Sequence, residues 1–224
     1  MVNLVTSRQR VADYGEVFTS EPIVNAMLDL VKQETERIDS RFLEPACGTG
    51  NFLTEVLYRK LTVVEKKYRR SQLDFERNLI LAVSSIYGID ILEDNVIECR
   101  RRLFEIADTS YTAHFKKKAR DQVRKVFRFI LSKNIIWGDA LTLLTVGPKP
   151  RQIIFSEWSF PLNNSLINRR DFVFAELIPD ERRKQPDLFS QNVYVSDLGE
   201  KVFLPTETYS YPLVHFLKIR EEHE

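Results

Sequence analysis

The apolar positions of the chain alternate between helical spacing and short extended runs. From Glu21 onward they recur every three or four residues, with Ser20 in an N-cap position and Pro22 in the first turn, which predicts a helix. Short runs of strand character follow at 41–44, 86–90 and 134–139, and helical patterns lie around them at 51–57, 73–85 and 93–107. Strands that alternate with helices are typical of a parallel sheet.

A fourth apolar run, at 152–155, predicts another strand and leads into turn residues and aromatic side chains at 156–160. Extended runs at 192–195 and 201–204 predict a C-terminal hairpin. We therefore predict an α/β fold with a doubly wound, mostly parallel, Rossmann-like sheet, preceded by the N-terminal helix and followed by the hairpin. Ligands of such sheets bind beyond the carboxyl ends of the strands.

Composition and charge exclude several classes of protein. The 224 residues are 43% hydrophobic, which is too apolar for disorder as the main state. With 33 Lys+Arg against 32 Asp+Glu the net charge is +1, so the chain is not a histone-like polycation and any basic partner surface is local. No apolar run approaches the roughly 18 residues that cross a bilayer, and no secretory signal is evident, so we expect a cytoplasmic protein with no membrane partner. The two cysteines and three histidines form neither C-x-x-C nor H-E-x-x-H, so we expect no metal site.

Two glycines between a predicted strand and a predicted helix indicate a ligand loop. Gly48 and Gly50 allow the backbone to approach a ligand, with amide groups at a helix N-terminus. The loop is not a Walker A motif, and Leu53 stands where G-x-G-x-x-G needs its third glycine, which argues against ATP and NAD. Asp90 follows the second strand, as does the acid that accepts hydrogen bonds from ribose hydroxyls. Alternatively the glycines form a structural turn, and Asp90 and Asp139 are turn acids or helix caps.

Four strings of residues together resemble a known family. They are Phe18-Thr19-Ser20-Glu21-Pro22, Leu43-Glu44-Pro45-Ala46-Cys47-Gly48-Thr49-Gly50-Asn51-Phe52, Gly88-Ile89-Asp90-Ile91 and Gly138-Asp139-Ala140-Leu141. Over residues 15–160 they look like successive motifs of gamma-class adenine-N6 DNA methyltransferases from restriction-modification systems. The resemblance implies S-adenosylmethionine as cofactor, DNA as substrate and methylation of the adenine amino group.

The resemblance also implies roles for individual residues. Phe18 and Thr19 would contact the methionine end of the cofactor, the loop 44–50 would wrap it, Asp90 would hold the ribose and Asp139 would meet the adenine amino group. The predicted cofactor-binding residues are Phe18, Thr19, Glu44, Pro45, Ala46, Cys47, Gly48, Gly50, Asn51, Phe52, Asp90, Ile91, Asp139 and Ala140.

The predicted reactive loop departs from the family pattern. Where these enzymes carry Asn/Asp-Pro-Pro and an aromatic residue, this chain has Ser156-Glu157-Trp158-Ser159-Phe160. The best register makes Glu157 the acceptor of the amino protons and Phe160 the ring that stacks on the flipped base, with Trp158 as a second platform, so these three are the predicted catalytic residues. The missing prolines leave an alternative, a non-catalytic cofactor-binding subunit, and the two aromatic residues are alternatively core residues. A third reading is a methyltransferase that acts on RNA or protein.

A basic pair that follows this loop predicts the DNA contact. Arg169 and Arg170 are placed to contact phosphates, although such a pair is alternatively a solvated surface feature. We predict a single methyltransferase-like domain over 1–224, divided into a cofactor-contacting helix (1–40), a cofactor-binding core (41–160) and C-terminal strands and tail (161–224). Because no separate target-recognition domain is evident, we expect a partner subunit to supply sequence specificity.

Overall fold

The fold is that of a computed structural model, which describes residues 8–14, 16–17, 19–162, 164–178, 193–195, 201–203 and 207–223. Its helices are α1 (Arg8–Tyr14), α2 (Glu21–Asp29), α3 (Lys32–Thr35), α4 (Asn51–Tyr68), α5 (Gln72–Ser84), α6 (Glu93–Phe115), α7 (Asp121–Asn134), α8 (Phe174–Leu177) and α9 (Ile219–Glu222). Its strands are β1 (Phe42–Glu44), β2 (Ile86–Asp90), β3 (Ile135–Asp139), β4 (Leu144–Thr145), β5 (Ile154–Ser159), β6 (Leu166–Val173), β7 (Val193–Val195), β8 (Lys201–Phe203), β9 (Glu207–Ser210) and β10 (Val214–His215).

The first sheet has the order β1-β2-β3-β4, and its first three strands are parallel. Residue Glu44 of β1 lies beside Gly88 of β2, and Asp90 lies beside Trp137 of β3, so the carboxyl ends of the three strands meet at one edge. The short strand β4 runs antiparallel to β3. The prediction of a mixed α/β fold with a mostly parallel sheet is confirmed.

The two faces of this sheet pack against different partners. Ile86 and Ile135 belong to the main core, to which helices α4 to α7 contribute most of the apolar side chains. Tyr87 and Ile89 point to the opposite face, because successive strand residues alternate, and there they pack against Ile153, Phe155 and Phe174. Among the described residues, therefore, a strand segment and the start of α8 cover the face that a doubly wound fold covers with helices.

The connection that follows β3 explains why a strand segment and the start of α8 cover this face of the sheet. A crossover to a further parallel strand needs a dozen or more residues, usually a helix. Here residues 140–153 instead form β4 and a turn at Gly147, whose φ is +140°, before the chain enters β5. The chain thus turns back without a crossover helix.

The predicted fourth strand is longer than expected and belongs to a second sheet. Strand β5 pairs antiparallel with β6, from Ile154 opposite Val173 to Ser159 opposite Asn168. Strands β9 and β10 pair with β6 on its other side. Residues 156–159, which the sequence predicts as a turn, are therefore in a strand, and the cross-strand pair of Glu157 with Arg170 helps to hold them there.

The C-terminal hairpin is confirmed. Strands β7 and β8 pair antiparallel, with Val193 opposite Phe203 and Val195 opposite Lys201. No helix among the described residues is long and apolar enough to cross a membrane.

A buried lysine joins three segments beneath the first sheet. The side chain of Lys60 on α4 is fully buried, and its Nζ donates to the carbonyl of Ile38 at 3.1 Å, to Ser85 Oγ at 2.6 Å and to the carbonyl of Ser40. Because burial penalises the ammonium form, the pKa of Lys60 is lowered to about 7. The contacts fix the start of β1 against α4 and the end of α5.

Candidate cofactor site

The carboxyl ends of β1, β2 and β3 surround a cavity of about 690 Å³, a volume typical of small-molecule sites. Predicted cofactor residues that line it are Thr19, Glu44, Pro45, Ala46, Cys47, Gly48, Asn51, Phe52, Asp90, Ile91, Asp139 and Ala140. The structure thus brings together three of the four chain-distant segments that the sequence predicts at this edge, and the fourth, residues 156–160, lies elsewhere. Gly50 lies in the turn at the N-terminus of α4, and Phe18 lies outside the described residues.

The loop between β1 and α4 has a shape that requires glycine. Gly48 and Gly50 have φ values of +51° and +85°, in the left-handed region that other residues seldom adopt. A Cβ atom on Gly50 would lie 2.6 Å from Cys99 Sγ, so a side chain has no room there. The thiol of Cys47 hydrogen-bonds to Cys99, and this contact, followed by burial, raises the pKa of Cys47. A raised pKa favours the neutral thiol, which is a weak nucleophile, so Cys47 suits the role of a small side chain within the loop.

The carboxylate of Asp90 is fixed by three donors. Its Oδ2 accepts from the Gly48 N–H at 2.8 Å, and its Oδ1 accepts from the Leu92 N–H at 2.9 Å and from Asn95 Nδ2 at 3.2 Å. A carboxylate has about four acceptor positions, so one is left for a ligand. Asp90 therefore both shapes the loop and presents an acceptor to the cavity.

The other two carboxylates at the strand ends have different surroundings. Asp139 accepts from the Leu141 N–H at 2.8 Å and from Thr142 Oγ1 at 3.0 Å, and these bonds lower its pKa, so it stays ionised. Desolvation raises the pKa of Glu44, against a hydrogen bond from the Ala46 N–H. A cation in the cavity would favour the ionised form of Glu44.

Acidic side chains dominate the electrostatics of the cavity. Carboxylates of Asp13, Glu16, Glu44, Asp90 and Asp139 line it, and none of the described lining residues is Lys or Arg. Phosphate groups are held by Lys, Arg and backbone N–H groups, so the lining is a poor match for ATP or NAD. It matches a ligand that carries positive charge and no phosphate.

Several residues that line the cavity were not predicted from the sequence. Asp13 and Glu16 come from α1 and the segment after it, and Arg10 anchors this segment through Asp94 at 2.5 Å and Glu16 at 2.7 Å. Asn95 donates to both Glu16 and Asp90. The only signal for Asn95 in the sequence was its place in the first turn of the helix that follows Asp90, because the other contacts join residues far apart in the chain.

The comparison with known proteins identifies the family. The family model described as MmeI, DNA-methyltransferase domain, matches residues 21–146. This match covers more than half of the chain and includes every strand end around the cavity. The chain belongs to this family. No curated protein and no solved structure matches it. Membership of the MmeI DNA-methyltransferase family supports a DNA methyltransferase of a restriction-modification system.

The match to the MmeI methyltransferase model ends before the predicted reactive loop, and the structure places that loop elsewhere. Glu157 Oε2 accepts from Arg170 at 2.5 Å, and Oε1 is paired with Arg41, the residue just before β1. Both carboxylate oxygens are thus bound to guanidinium groups at the amino end of the first sheet. Glu157 does not line the acidic cavity at the carboxyl ends.

The two aromatic residues of that segment also lie away from the acidic cavity. Trp158 is 4% exposed, and its Nε1 donates to Asn134 Oδ1 at 2.9 Å, just before β3 begins. Phe160 contacts Phe216, with ring centroids 6.3 Å apart. Both line a separate cavity of about 330 Å³ together with Arg41. The burial of Trp158 agrees with the alternative that it is a core residue.

The predicted DNA-contacting arginines differ from each other. Arg169 is 4% exposed and donates to both oxygens of Asp171 at 2.9 and 2.8 Å, and to the carbonyl of His223 at 2.7 Å. Its guanidinium is therefore a buried structural group. The side chain of Arg170 is partly exposed but is paired with Glu157. Within the described residues, no group of three or more His, Cys, Asp or Glu is arranged to hold a metal ion.

Proposed function

We propose that this MmeI-family domain is an S-adenosylmethionine-dependent methyltransferase that transfers a methyl group to the N6 amino group of adenine in DNA. The observation that carries the cofactor assignment is the acidic cavity at the carboxyl ends of three parallel strands. The adenine target rests on the resemblance of the sequence motifs to adenine methyltransferases. A methyltransferase that acts on cellular DNA in a restriction-modification system would work in the cytoplasm.

The residues of the cavity fit the chemistry of this cofactor. S-adenosylmethionine supplies a methyl group on a positively charged sulfur and carries no phosphate. Asp90 would accept hydrogen bonds from the ribose hydroxyls through its remaining acceptor position, and Asp139 would accept from the adenine amino group. Glu44 would stabilise a positive charge of the methionine portion, whereas Glu16 is already paired with Arg10. The glycine loop would let the backbone come close to the bound molecule.

We also propose that the first sheet has a Rossmann-like fold. Consecutive parallel strands joined by helices, with a ligand cavity beyond their carboxyl ends, support a Rossmann-like arrangement of β1, β2 and β3. The segment that the sequence resemblance assigns to the reactive loop, residues 156–160, begins within strand β5 of the second sheet.

The position of Glu157 favours a function in which this chain binds the cofactor and a second chain contacts the target base. Its bonds to Arg41 and Arg170 keep it at the amino end of the sheet, whereas the cofactor residues lie at the carboxyl end. We therefore propose that a partner subunit contributes contacts to the target base and the DNA sequence specificity. The sequence prediction that Glu157, Trp158 and Phe160 carry the transfer leads to a different expectation, namely that the chain alone methylates DNA without the product of a neighbouring gene.

The experiment measures binding and transfer separately. Calorimetry with S-adenosylmethionine should show binding that is lost in Asp90→Ala. Incubation with cofactor carrying a labelled methyl group and mixed-sequence DNA, alone and with the products of neighbouring genes, should yield N6-methyladenine on nucleoside analysis. Absence of cofactor binding by the wild-type chain would overturn the proposal. Label in RNA or protein instead of DNA would assign a different acceptor.

A second candidate function is a non-catalytic cofactor-binding subunit of the same type of complex. The placement of Glu157 away from the acidic cavity is the observation that favours it. This candidate predicts the same cofactor affinity with no methyl transfer under any combination of partners. Robust turnover that depends on Asp90 would exclude it.

A further inference from the structure

Helix α6 holds the cofactor loop from the side opposite the cavity. Arg102 Nη1 donates to the carbonyl of Thr49 at 2.8 Å, to Thr49 Oγ1 at 3.3 Å and to Asn51 Oδ1 at 2.7 Å. Asn51 lines the cavity, whereas Arg102 does not. The guanidinium therefore contacts the outer side of the loop that the proposed cofactor would touch from the inside.

The loop has few other attachments at this point. The N–H of Cys47 donates to the carbonyl of Ile89 at 2.9 Å, and the N–H of Gly48 donates to Asp90 at 2.8 Å, so the first half is tied to β2. Among the hydrogen bonds of the described residues, those to the Thr49 carbonyl and to Asn51 Oδ1 come from Arg102 alone. The second half of the loop is thus tied to α6.

Asn51 passes this restraint on to the N-terminal segment. While its Oδ1 accepts from Arg102, its Nδ2 donates to the carbonyl of Thr19 at 3.2 Å. Thr19 also lines the cavity, and it belongs to the segment that precedes α2. One guanidinium therefore connects α6, the cofactor loop and the segment before α2, all of which must keep their spacing for the cavity to keep its shape.

We propose that Arg102 is a positioning residue for cofactor binding, which fixes Thr49 and Asn51 and, through Asn51, the Thr19 segment. The inference rests on the proposed cofactor. All three acceptors are bonded by the two N–H groups of Nη1, so one of these N–H groups is shared, and the planar guanidinium holds this nitrogen in place better than a flexible stem holds an ammonium group. A loop that is ordered before binding costs less free energy to order on binding, so the effect appears in affinity.

The test compares four variants by calorimetry with S-adenosylmethionine, at a temperature where circular dichroism shows each to be folded. Arg102→Met should raise Kd at least tenfold, and Arg102→Lys should give an intermediate value. Thr49→Val removes only the longest of the three bonds and should stay within about threefold of wild type. Arg101→Met is the matched control, because the neighbouring arginine pairs with Glu98 and Glu105 on the surface and should leave Kd unchanged.

Hydrogen exchange of the ligand-free protein provides a readout that needs no cofactor. Faster exchange of the amides of residues 48–51 in Arg102→Met than in Arg101→Met is expected, with no change in β2. An unchanged Kd together with unchanged exchange in Arg102→Met would overturn the inference. If Arg102→Met does not fold, Arg102→Lys decides: weaker binding with faster loop exchange supports the inference, and wild-type values overturn it. Failure of the wild-type chain to bind, with exchange altered as expected, would refute the proposed cofactor but would leave in place the inference that Arg102 fixes the loop.

Discussion

The two ends of the first sheet differ in chemistry, although the sequence assigns functional residues to both. At the carboxyl end, five acidic side chains surround a cavity without a described basic residue. At the amino end, the acid Glu157 is bonded to Arg41 and Arg170, and Trp158 is buried. The difference shows that functional residue types are informative only where the structure leaves acceptor positions open to a ligand.

The largest expected difference between the ends is in cofactor affinity. Asp90→Ala removes the acceptor for Gly48, Leu92 and Asn95 as well as the proposed ribose contact, so we expect Kd for S-adenosylmethionine to rise at least about 100-fold. Glu157→Gln should remain within about twofold. Calorimetry on both variants measures this. Equal weakening by the two substitutions would contradict the separation of the two ends.

The next largest expected difference is in stability, because the two arginines of β6 should contribute unequally to the free energy of unfolding. Arg169→Met leaves the carboxylate of Asp171 buried without its main partner, so we expect a loss of about 3–5 kcal/mol in the free energy of unfolding. Arg170→Met breaks a partly exposed pair and should cost about 1 kcal/mol or less. Urea denaturation gives both values. A stable Arg169→Met protein that binds DNA weakly would restore the predicted phosphate contact.

Lys60, at the amino end of the first sheet, should make the free energy of unfolding depend on pH. Its pKa is about 7 in the folded chain and near 10.5 when unfolded, so between these values the unfolded chain binds more protons. The free energy of unfolding should therefore rise with pH from about 7 to about 10.5, by roughly 1–4 kcal/mol from this residue. The difference between wild type and Lys60→Met, measured by urea denaturation across this range, isolates the contribution. A difference that does not change with pH would contradict it.

A small effect, confined to stability, should come from Trp158→Phe. This substitution removes the bond from Nε1 to Asn134 Oδ1 but keeps most of the buried area, so we expect a loss of about 1 kcal/mol in stability. Cofactor Kd and the KM for acceptor DNA should not change. Thermal unfolding and transfer kinetics measure the two quantities. A selective rise in KM for DNA would show that Trp158 stacks on the target base after all.

Local patterns and one general rule were enough to predict the carboxyl end. The predicted strands at 86–90 and 134–139 differ from β2 and β3 by at most one residue, and the helix predicted from Glu21 begins there. Because carboxyl ends of parallel strands meet, the positions of Glu44, Asp90 and Asp139 followed from the strand assignments.

The amino end could not be predicted in the same way. The apolar run at 152–155 indicates a strand, but its neighbour in the sheet depends on β6, which follows it in the chain, and no local period shows which sheet a strand joins. Arg102 and Arg10 were missed for a related reason: their partners Asn51 and Asp94 are distant in sequence, and long side chains reach them only once the helices are packed.

The close packing of Gly50 on Cys99 makes the reactivity of this thiol depend on the position of the cofactor loop. Both Cys47 and Cys99 are free and buried, and the turn at Gly50 lies directly over the sulfur of Cys99. Because Cys99 is fully buried, a thiol reagent reaches it only after local opening, so the rate of Cys99 alkylation, measured separately from that of Cys47 in the cavity lining, reports opening near the cofactor loop. The native thiol of Cys99 can thus report how often the structure around the site opens, without an introduced cysteine.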